Sequence, residues 1–324
     1  MSTPNINFGP VMGASGVQGF YGEGYAWHSV AQWLGLNFSG MTFVAKTVTW
    51  EPREGNMPRE DAPWHKRLLP DCIIAKPLRA DPVGLNSVGL TNRGFMAHLT
   101  DGKWQTRTKP FLISFMSLAA DRHSRVLEYI ELVTALRTHK HAFKAPFGLQ
   151  VNISCPNTHV NLRELDREVC QILNVLQELG VPVFVKINVL YPVHAALEFA
   201  GHPACSGICV SNAIPWRALP EQIDWDRYFG SDPESPLVKR GYTGGGLSGA
   251  PLLPLVRNWV LEARDLGYTG HINAGGGILC ADDAISLFQA GATSIFVGSA
   301  AFLRPWQVPE IIDAAHDWAP RQKR

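Results

Sequence analysis

The stretch Phe147-Gly148-Leu149-Gln150-Val151-Asn152-Ile153-Ser154-Cys155-Pro156-Asn157 joins a mostly apolar run to a polar cluster. The apolar part has the composition of a buried β-strand, and the cluster follows where such a strand ends. In parallel α/β proteins, active sites form at the carboxyl ends of the strands. A free cysteine is more often a buried structural residue. A thiol flanked by two carboxamides and fixed by a proline is instead arranged like a proton-transfer group beside a polar ligand.

Similar apolar runs recur along the chain and alternate with helical patterns. Because several are apolar on nearly every residue, they predict strands covered on both faces. The stripe at 165, 169, 172, 173, 176 and 179 predicts a helix that ends at Gly180, and the stripe at 126, 127, 130, 133 and 136 predicts another. Strand–helix alternation implies right-handed βαβ units and a parallel sheet. The predicted strands are 42–46, 111–115, 147–154, 183–187, 207–211, 271–274 and 294–298, with a weaker one at 85–88.

Eight strands favour a (β/α)8 barrel, and we expect the whole chain, 1–324, to form one such domain. Two long irregular segments, 51–84 and 213–249, leave from strand ends and are expected to cover the mouth of the site. The last two strands run into glycine turns at 275–277 and 298–299. Backbone amides in such turns bind phosphate, so these turns predict a phosphate site.

Composition narrows the range of partners. The chain has 324 residues, a formal net charge of +1 and 46% hydrophobic residues, so charge gives no case for nucleic acid or an anionic membrane. The apolar runs are far too short to span a bilayer, and the polar N-terminus does not resemble a signal peptide. The six cysteines contain no C-x-x-C pair, and we interpret Cys205 and Cys209 as core. We therefore expect a cytoplasmic protein without a metal site.

Polar residues at the predicted strand ends complete the pattern. Lys46 ends the first strand, Lys186 lies in a Val-Phe-Val-Lys-Ile run, and Asn212 follows the strand at 207–211. A buried lysine requires a partner, and a bound anionic ligand is a natural one.

A set of short motifs runs along the chain from residue 14 to residue 299. They are Ala14-Ser15-Gly16, Lys46 with 51–56, 86–90, 152–157, Val185-Lys186, Ser211-Asn212, 245–249, 275–277 and Gly298-Ser299. In content and order these motifs resemble those of the dihydroorotate dehydrogenase family, whose members are barrels that bind flavin mononucleotide (FMN).

The resemblance implies a role for each matched residue. Cys155 would remove the C5 proton of (S)-dihydroorotate, hydride would pass from C6 to flavin N5, and the product would be orotate. Lys46 would lie near substrate and flavin, and Lys186 would stabilise the reduced flavin. The substrate would be bound by Asn86, Gly89, Leu90, Asn152, Asn157 and Asn212. The flavin would be bound by Ala14, Ser15, Gly16, Lys46, Asn152, Lys186, Gly246, Gly276, Gly277, Gly298 and Ser299.

The resemblance also implies a homodimer and allows an electron-accepting partner protein. The sequence leaves the oxidant open among fumarate, a quinone, oxygen and a partner iron–sulfur flavoprotein. Three other functions stay open at this point: a flavin enzyme for another dihydropyrimidine or cyclic amide, a non-redox phosphate-binding barrel that uses Lys186, and a flavin-binding barrel without turnover.

Overall fold

The computed structural model describes residues 6–57, 69–153 and 162–318, except the side chains of 162–164. Two sheets organise these residues. The strands are β1 (Val11–Gly13), β2 (Ile73–Lys76), β3 (Val83–Asn86), β4 (Phe111–Phe115), β5 (Phe147–Asn152), β6 (Val183–Ile187), β7 (Cys205–Val210), β8 (Ile214–Pro215), β9 (Gly246–Gly249), β10 (Ile272–Ala274) and β11 (Ser294–Val297). The helices are α1 (Ala26–Trp33), α2 (Phe95–Thr100), α3 (Arg122–His139), α4 (Leu162–Gln177), α5 (Val193–Ala200), α6 (Trp225–Phe229), α7 (Leu252–Asp265), α8 (Ala281–Gln289), α9 (Ala300–Leu303) and α10 (Val308–Trp318).

The larger sheet is parallel and has the strand order β1-β11-β10-β7-β6-β5-β4. The segment 42–48 joins its two ends through parallel bridges from Thr42 to Met12 and from Val44 to Leu112. On one side Gly13 N donates to Thr42 O at 2.8 Å, and on the other Ala45 N donates to Leu112 O at 2.9 Å. Seven strands and this segment therefore close an eight-membered barrel, which confirms the predicted fold.

One predicted barrel strand was wrong. The run at 85–88 is not a member of the barrel; β3 lies instead in a four-stranded antiparallel sheet of order β2-β3-β9-β8. The eighth barrel position belongs to β1, which the sequence analysis missed. β1 has only three residues, too few for alternation or an apolar run to stand out.

The barrel strands are apolar on both faces because both faces are covered. Their inward side chains meet Phe8, which precedes β1, in a cluster that also contains Met12, Val44, Leu112, Phe184, Cys209 and Phe296. Their outward side chains pack against the surrounding helices in the main core. Some buried polar groups inside the barrel pair with each other: Asn273 Nδ2 donates to Ser294 Oγ at 2.7 Å. A buried polar group costs stability unless it is paired in this way.

The second sheet has an apolar core of its own. Val83 and Leu85 of β3 pack with Leu247 of β9 and with Trp225 and Leu237 from the segment that precedes β9. Leu252 and Leu255 of α7 belong to the same cluster, so the second sheet is fixed to a barrel helix. Both 69–84 and 213–249 contribute to this sheet.

We expect the closure of the barrel to depend on Leu112, which is fully buried and pairs with Val44. Leu112→Ala should lower the free energy of unfolding by about 2–5 kcal/mol, because it leaves a cavity inside the barrel. Leu127→Ala on α3 is the matched control, since Leu127 is 44% exposed, and it should cost less than about 0.5 kcal/mol. Urea denaturation followed by circular dichroism measures both. Equal losses in the two variants would contradict the barrel interior described above.

Candidate active site

A cavity of about 850 Å³ opens at the carboxyl ends of the barrel strands. It lies between the barrel rim and the second sheet, because β5, β6, β3 and β9 all contribute residues to its wall. A smaller cavity of about 130 Å³ shares Ala14, Lys186, Asn212, Gly298 and Ser299 with it. The two cavities therefore adjoin.

The described residues that the sequence analysis selected for the site line these two cavities. The large cavity is lined by Ala14, Ser15, Gly16, Lys46, Asn86, Gly89, Leu90, Asn152, Lys186, Asn212, Gly246, Gly298 and Ser299. Gly276 and Gly277 line the small one. Cys155 and Asn157 lie outside the described residues. Residues separated by up to 285 positions in sequence thus meet at one place.

The strand register explains how the polar side chains come together. Asn152 at the end of β5 pairs with Lys186 of β6, and Lys186 pairs with Cys209 of β7. Asn212 follows β7 and donates from Nδ2 to Asn152 Oδ1 at 2.8 Å. Because the strands are parallel, their carboxyl ends must present these side chains along one rim.

Lys186 is a buried cation without a carboxylate partner among the described residues. It is 6% exposed, and its ammonium lies 5.1 Å from the ring centroid of Phe296. Burial lowers the pKa of Lys186. Since a buried charge is costly unless paired, this side chain fits an anionic ligand in the adjoining cavities.

Lys46 has a different environment. Its ammonium donates to Thr91 O at 2.5 Å and lies 4.7 Å from the ring centroid of Phe20. Burial lowers the pKa of Lys46 to about 8, although Glu23 and Cys72 act in the opposite direction. A negative charge bound beside Lys46 would favour its protonated form.

The turn 86–90 offers a second group of donors. Gly89 and Leu90 have positive φ angles of 69° and 57°, which is rare for leucine. Within the described residues, no acceptor is recorded for the N–H group of either residue. Successive backbone N–H groups in such turns form concave anion sites. Arg53 Nε donates to Gly89 O at 2.9 Å and so supports the turn from outside.

The small cavity has the features of a phosphate site. Gly277 has φ of 80°, and a Cβ atom there would lie 2.5 Å from Leu253 N at the start of α7. The N–H groups of Gly276 and Gly277 have no acceptor among the described residues. Glycine amides next to the beginning of a 14-residue helix are the usual setting for a bound phosphate.

Several side chains in the cavity wall escaped the sequence analysis. Thr47 directly follows Lys46 and could have been found as its neighbour. Ser87 lies inside the matched motif 86–90 and could have been found there, whereas Thr243 lies in a loop where hydroxyl residues are common and nothing in the sequence selects it. The aromatic residues of the cavity wall were missed because aromatic side chains are usually part of the core. The residues missed are Tyr25, Trp27, Thr47, Ser87, Trp216, Thr243 and Phe302.

The described residues contain no group of three His, Cys, Asp or Glu side chains placed to bind a metal ion. No helix among them has both the length and the apolar character needed to cross a membrane.

A closed α/β barrel with a cavity at the carboxyl ends of its strands is the architecture of an α/β-barrel enzyme. Residues 2–317 match the family model described as dihydroorotate dehydrogenase. The chain therefore belongs to the dihydroorotate dehydrogenase family, a family of oxidoreductases.

Curated relatives agree with the family model over nearly the full length. The chain is 29% identical to the dihydroorotate dehydrogenase B (NAD(+)) catalytic subunit of Endomicrobium trichonymphae, over 95% of this chain and 87% of that protein. It is 29% identical to the catalytic subunit of the same name from Latilactobacillus sakei, over 98% and 92%. It is 30% identical to the one from a Geobacillus species, over 94% and 84%.

The pKa of Lys46 leads to a prediction about stability and pH. Between about 8 and the ordinary lysine value of 10.5, the unfolded chain binds a proton at Lys46 that the folded chain does not. Raising the pH through this interval therefore favours folding. The stability of the wild type relative to Lys46→Met should increase from pH 7 to pH 10 in urea denaturation without added ligand. Lys109→Met, at an exposed lysine, controls for the loss of one charge. A difference between wild type and Lys46→Met that stays constant with pH would contradict the prediction.

Proposed function

We propose that this chain binds FMN and oxidises (S)-dihydroorotate to orotate. The observation that carries the proposal is that backbone N–H groups without an acceptor among the described residues line two adjoining cavities. The glycine cradle at 276–277 fits a phosphate, and the turn at Gly89 and Leu90 beside Asn86 fits a carboxylate. A ligand pair with one phosphate and one carboxylate is what FMN and dihydroorotate supply.

The residues present fit FMN. Gly276, Gly277, Gly298 and Ser299 would hold its phosphate, while Ala14, Ser15, Gly16 and Gly246 would pack against the rest of the molecule. A Cβ atom at Gly16 would lie 3.0 Å from Lys46 Cγ, so the glycine allows the Lys46 side chain to lie against this part of the backbone. Lys186 would place its positive charge beside the ring system. When bound, FMN supplies the two-electron acceptor for the hydride that leaves C6.

The substrate contacts follow from the chemistry of the rim. The N–H groups of Gly89 and Leu90 would bind the carboxylate, with Asn86 and Lys46 beside them. Asn152, Asn157 and Asn212 would bind the amide groups of the ring, because an asparagine side chain offers both a donor and an acceptor. Dihydrouracil lacks the carboxylate and would leave the donors at 89–90 without a charged partner.

Cys155 would be the base that takes the C5 proton. A thiol with a pKa of roughly 8.5 is only a few per cent ionised at neutral pH, so turnover should increase with pH as the thiolate forms. Proton loss at C5 and hydride loss at C6 together form the C5–C6 double bond of orotate.

The proposed function extends to architecture and partners. The chain would form one barrel domain over 1–324, with segments 51–84 and 213–249 as lids, and would act as a cytoplasmic homodimer. The relatives reported above are named catalytic subunits of an NAD(+) enzyme, which supports a second protein that takes electrons from this one.

An anaerobic absorbance titration tests the function directly. Purified protein should show an oxidised-flavin band that bleaches on addition of dihydroorotate and not on addition of dihydrouracil. A band that bleaches only with another dihydropyrimidine or cyclic amide would identify that compound as the substrate in place of dihydroorotate. Protein that binds no flavin after incubation with FMN would overturn it.

Cys155→Ala should retain bound flavin and lose turnover by at least about 100-fold near neutral pH, since general-base catalysis contributes about 10²–10⁴-fold. Cys155→Ser should keep part of the activity, with its pH profile displaced to higher pH. Cys170→Ala on α4 is the control for removing a partly buried thiol. Steady-state rates per bound flavin measure all three variants, and unchanged turnover in Cys155→Ala would remove Cys155 as the base.

A further inference from the structure

Two hydroxyl groups from separate segments meet at the edge of the large cavity. Ser87 follows β3, and Thr243 precedes β9. Their Oγ and Oγ1 atoms lie 2.6 Å apart, although 156 residues separate them in sequence. Both residues line the cavity. The contact therefore links the loop after β3 to the loop before β9, and both loops lie in the cavity wall.

A count of hydrogens shows that this pair has one donor to spare. Two hydroxyl groups carry two hydrogens, and the bond between them uses one. The other neighbour of Ser87 is Asn56, whose Nδ2 donates to Ser87 O at 2.6 Å and lies 3.5 Å from Ser87 Oγ. An amide nitrogen donates and does not accept. Among the described residues, nothing takes the second hydroxyl hydrogen.

Burial indicates which hydroxyl carries the spare hydrogen. Ser87 is 5% exposed, whereas Thr243, in the loop before β9, is an exposed residue. The order Asn56 to Ser87 to Thr243 satisfies the buried hydroxyl on both sides and leaves the outer one to donate into the cavity. Hydrogen bonds in such a chain strengthen one another.

The spare donor belongs to the carboxylate end of the site. Ser87 lies between Asn86 and the turn at Gly89 and Leu90, whose N–H groups are unpaired among the described residues. We infer that Thr243, oriented by Ser87, is a specificity-determining residue that donates a hydrogen bond to the carboxylate of the substrate. The inference rests on the proposed function and identifies a further residue that selects an acidic dihydropyrimidine over a neutral one.

The consequence for selectivity follows from the charge of the acceptor. A hydrogen bond to a carboxylate is stronger than one to a neutral group. Loss of the Thr243 hydroxyl should therefore weaken binding of orotate more than binding of its neutral carboxamide, which has nearly the same shape. A purely structural role for the hydroxyl pair would weaken both ligands alike.

Thr243→Val removes the hydroxyl and keeps the branched shape, and Thr243→Ser keeps the hydroxyl as the matched control. The dissociation constants of orotate and of its carboxamide, from equilibrium dialysis of the flavin-loaded protein, need no turnover. In Thr243→Val we expect the dissociation constant of orotate to rise about tenfold, which corresponds to the loss of one hydrogen bond to a charged group. The dissociation constant of the carboxamide should rise less than about threefold. In Thr243→Ser both dissociation constants should stay within about twofold of those of the wild type.

Kinetics give an independent readout. In Thr243→Val, KM for dihydroorotate should rise about as much as the dissociation constant of orotate, with kcat changed less than about twofold. Should Thr243→Val fail to fold, Ser87→Ala replaces it and should also raise the dissociation constant of orotate.

Two different failures can be told apart. If the wild type binds orotate and the dissociation constant is unchanged in Thr243→Val, or rises equally for the carboxamide, the inference about Thr243 is overturned and the proposed function stands. If the wild type binds flavin but neither binds orotate nor oxidises dihydroorotate, the proposed function itself is overturned.

Discussion

The hydrogen bonds that join segment 42–48 to β1 and β4 are the constraint on which the rest of the structure depends. They turn an open parallel sheet into a closed barrel without free edges. Closure brings Lys46 to the same rim as Lys186 and Asn152, because all parallel strands end on one side. An open sheet of the same strands would leave Lys46 at one edge, far from the centre of the sheet.

The second sheet supplies what the barrel lacks. The barrel rim contributes side chains to one side of the cavity. A ligand held from that side alone would remain in contact with water on the other. β3 and β9 bring Asn86 and Gly246 over the cavity, and Asn86 Nδ2 donates to Gly246 O at 3.3 Å. This sheet has its own apolar core, and Leu252 of α7 is part of that core. Packing therefore fixes the position of the sheet. The cavity is therefore bounded by two ordered surfaces.

The sequence predicted the barrel well because its strands are apolar on both faces, which few other structures require. It failed at 85–88, since the composition of a short strand does not tell which sheet the strand joins. In α3 the predicted stripe was partly wrong: Leu127 and Ile130 are each 44% exposed, while Tyr129 and Leu132 are buried. The apolar positions there fit two faces of the helix, and only packing against α4 selects one.

Residues of the cavity wall that lie in recognisable motifs were predictable, and contacts between distant segments were not. Lys186 was selected because a lysine inside an apolar strand has few structural explanations. The contact between Ser87 and Thr243 has no sequence signal, because the motif 86–90 that contains Ser87 does not indicate which distant residue packs against it. Their pairing depends on the register of β3 with β9, which no local pattern encodes.

Lys186, a buried cation without a carboxylate partner in the part of the chain that the structure describes, has a consequence for the lifetime of the protein in the cell. A ligand that binds only the folded chain stabilises it by mass action, and a ligand that also neutralises a buried ammonium relieves a cost of folding. Newly made chains that have not bound this ligand should unfold more often and be degraded faster. The amount of protein maintained would then follow the supply of its anionic ligand, so that a shortage reduces the number of molecules as well as the activity of each.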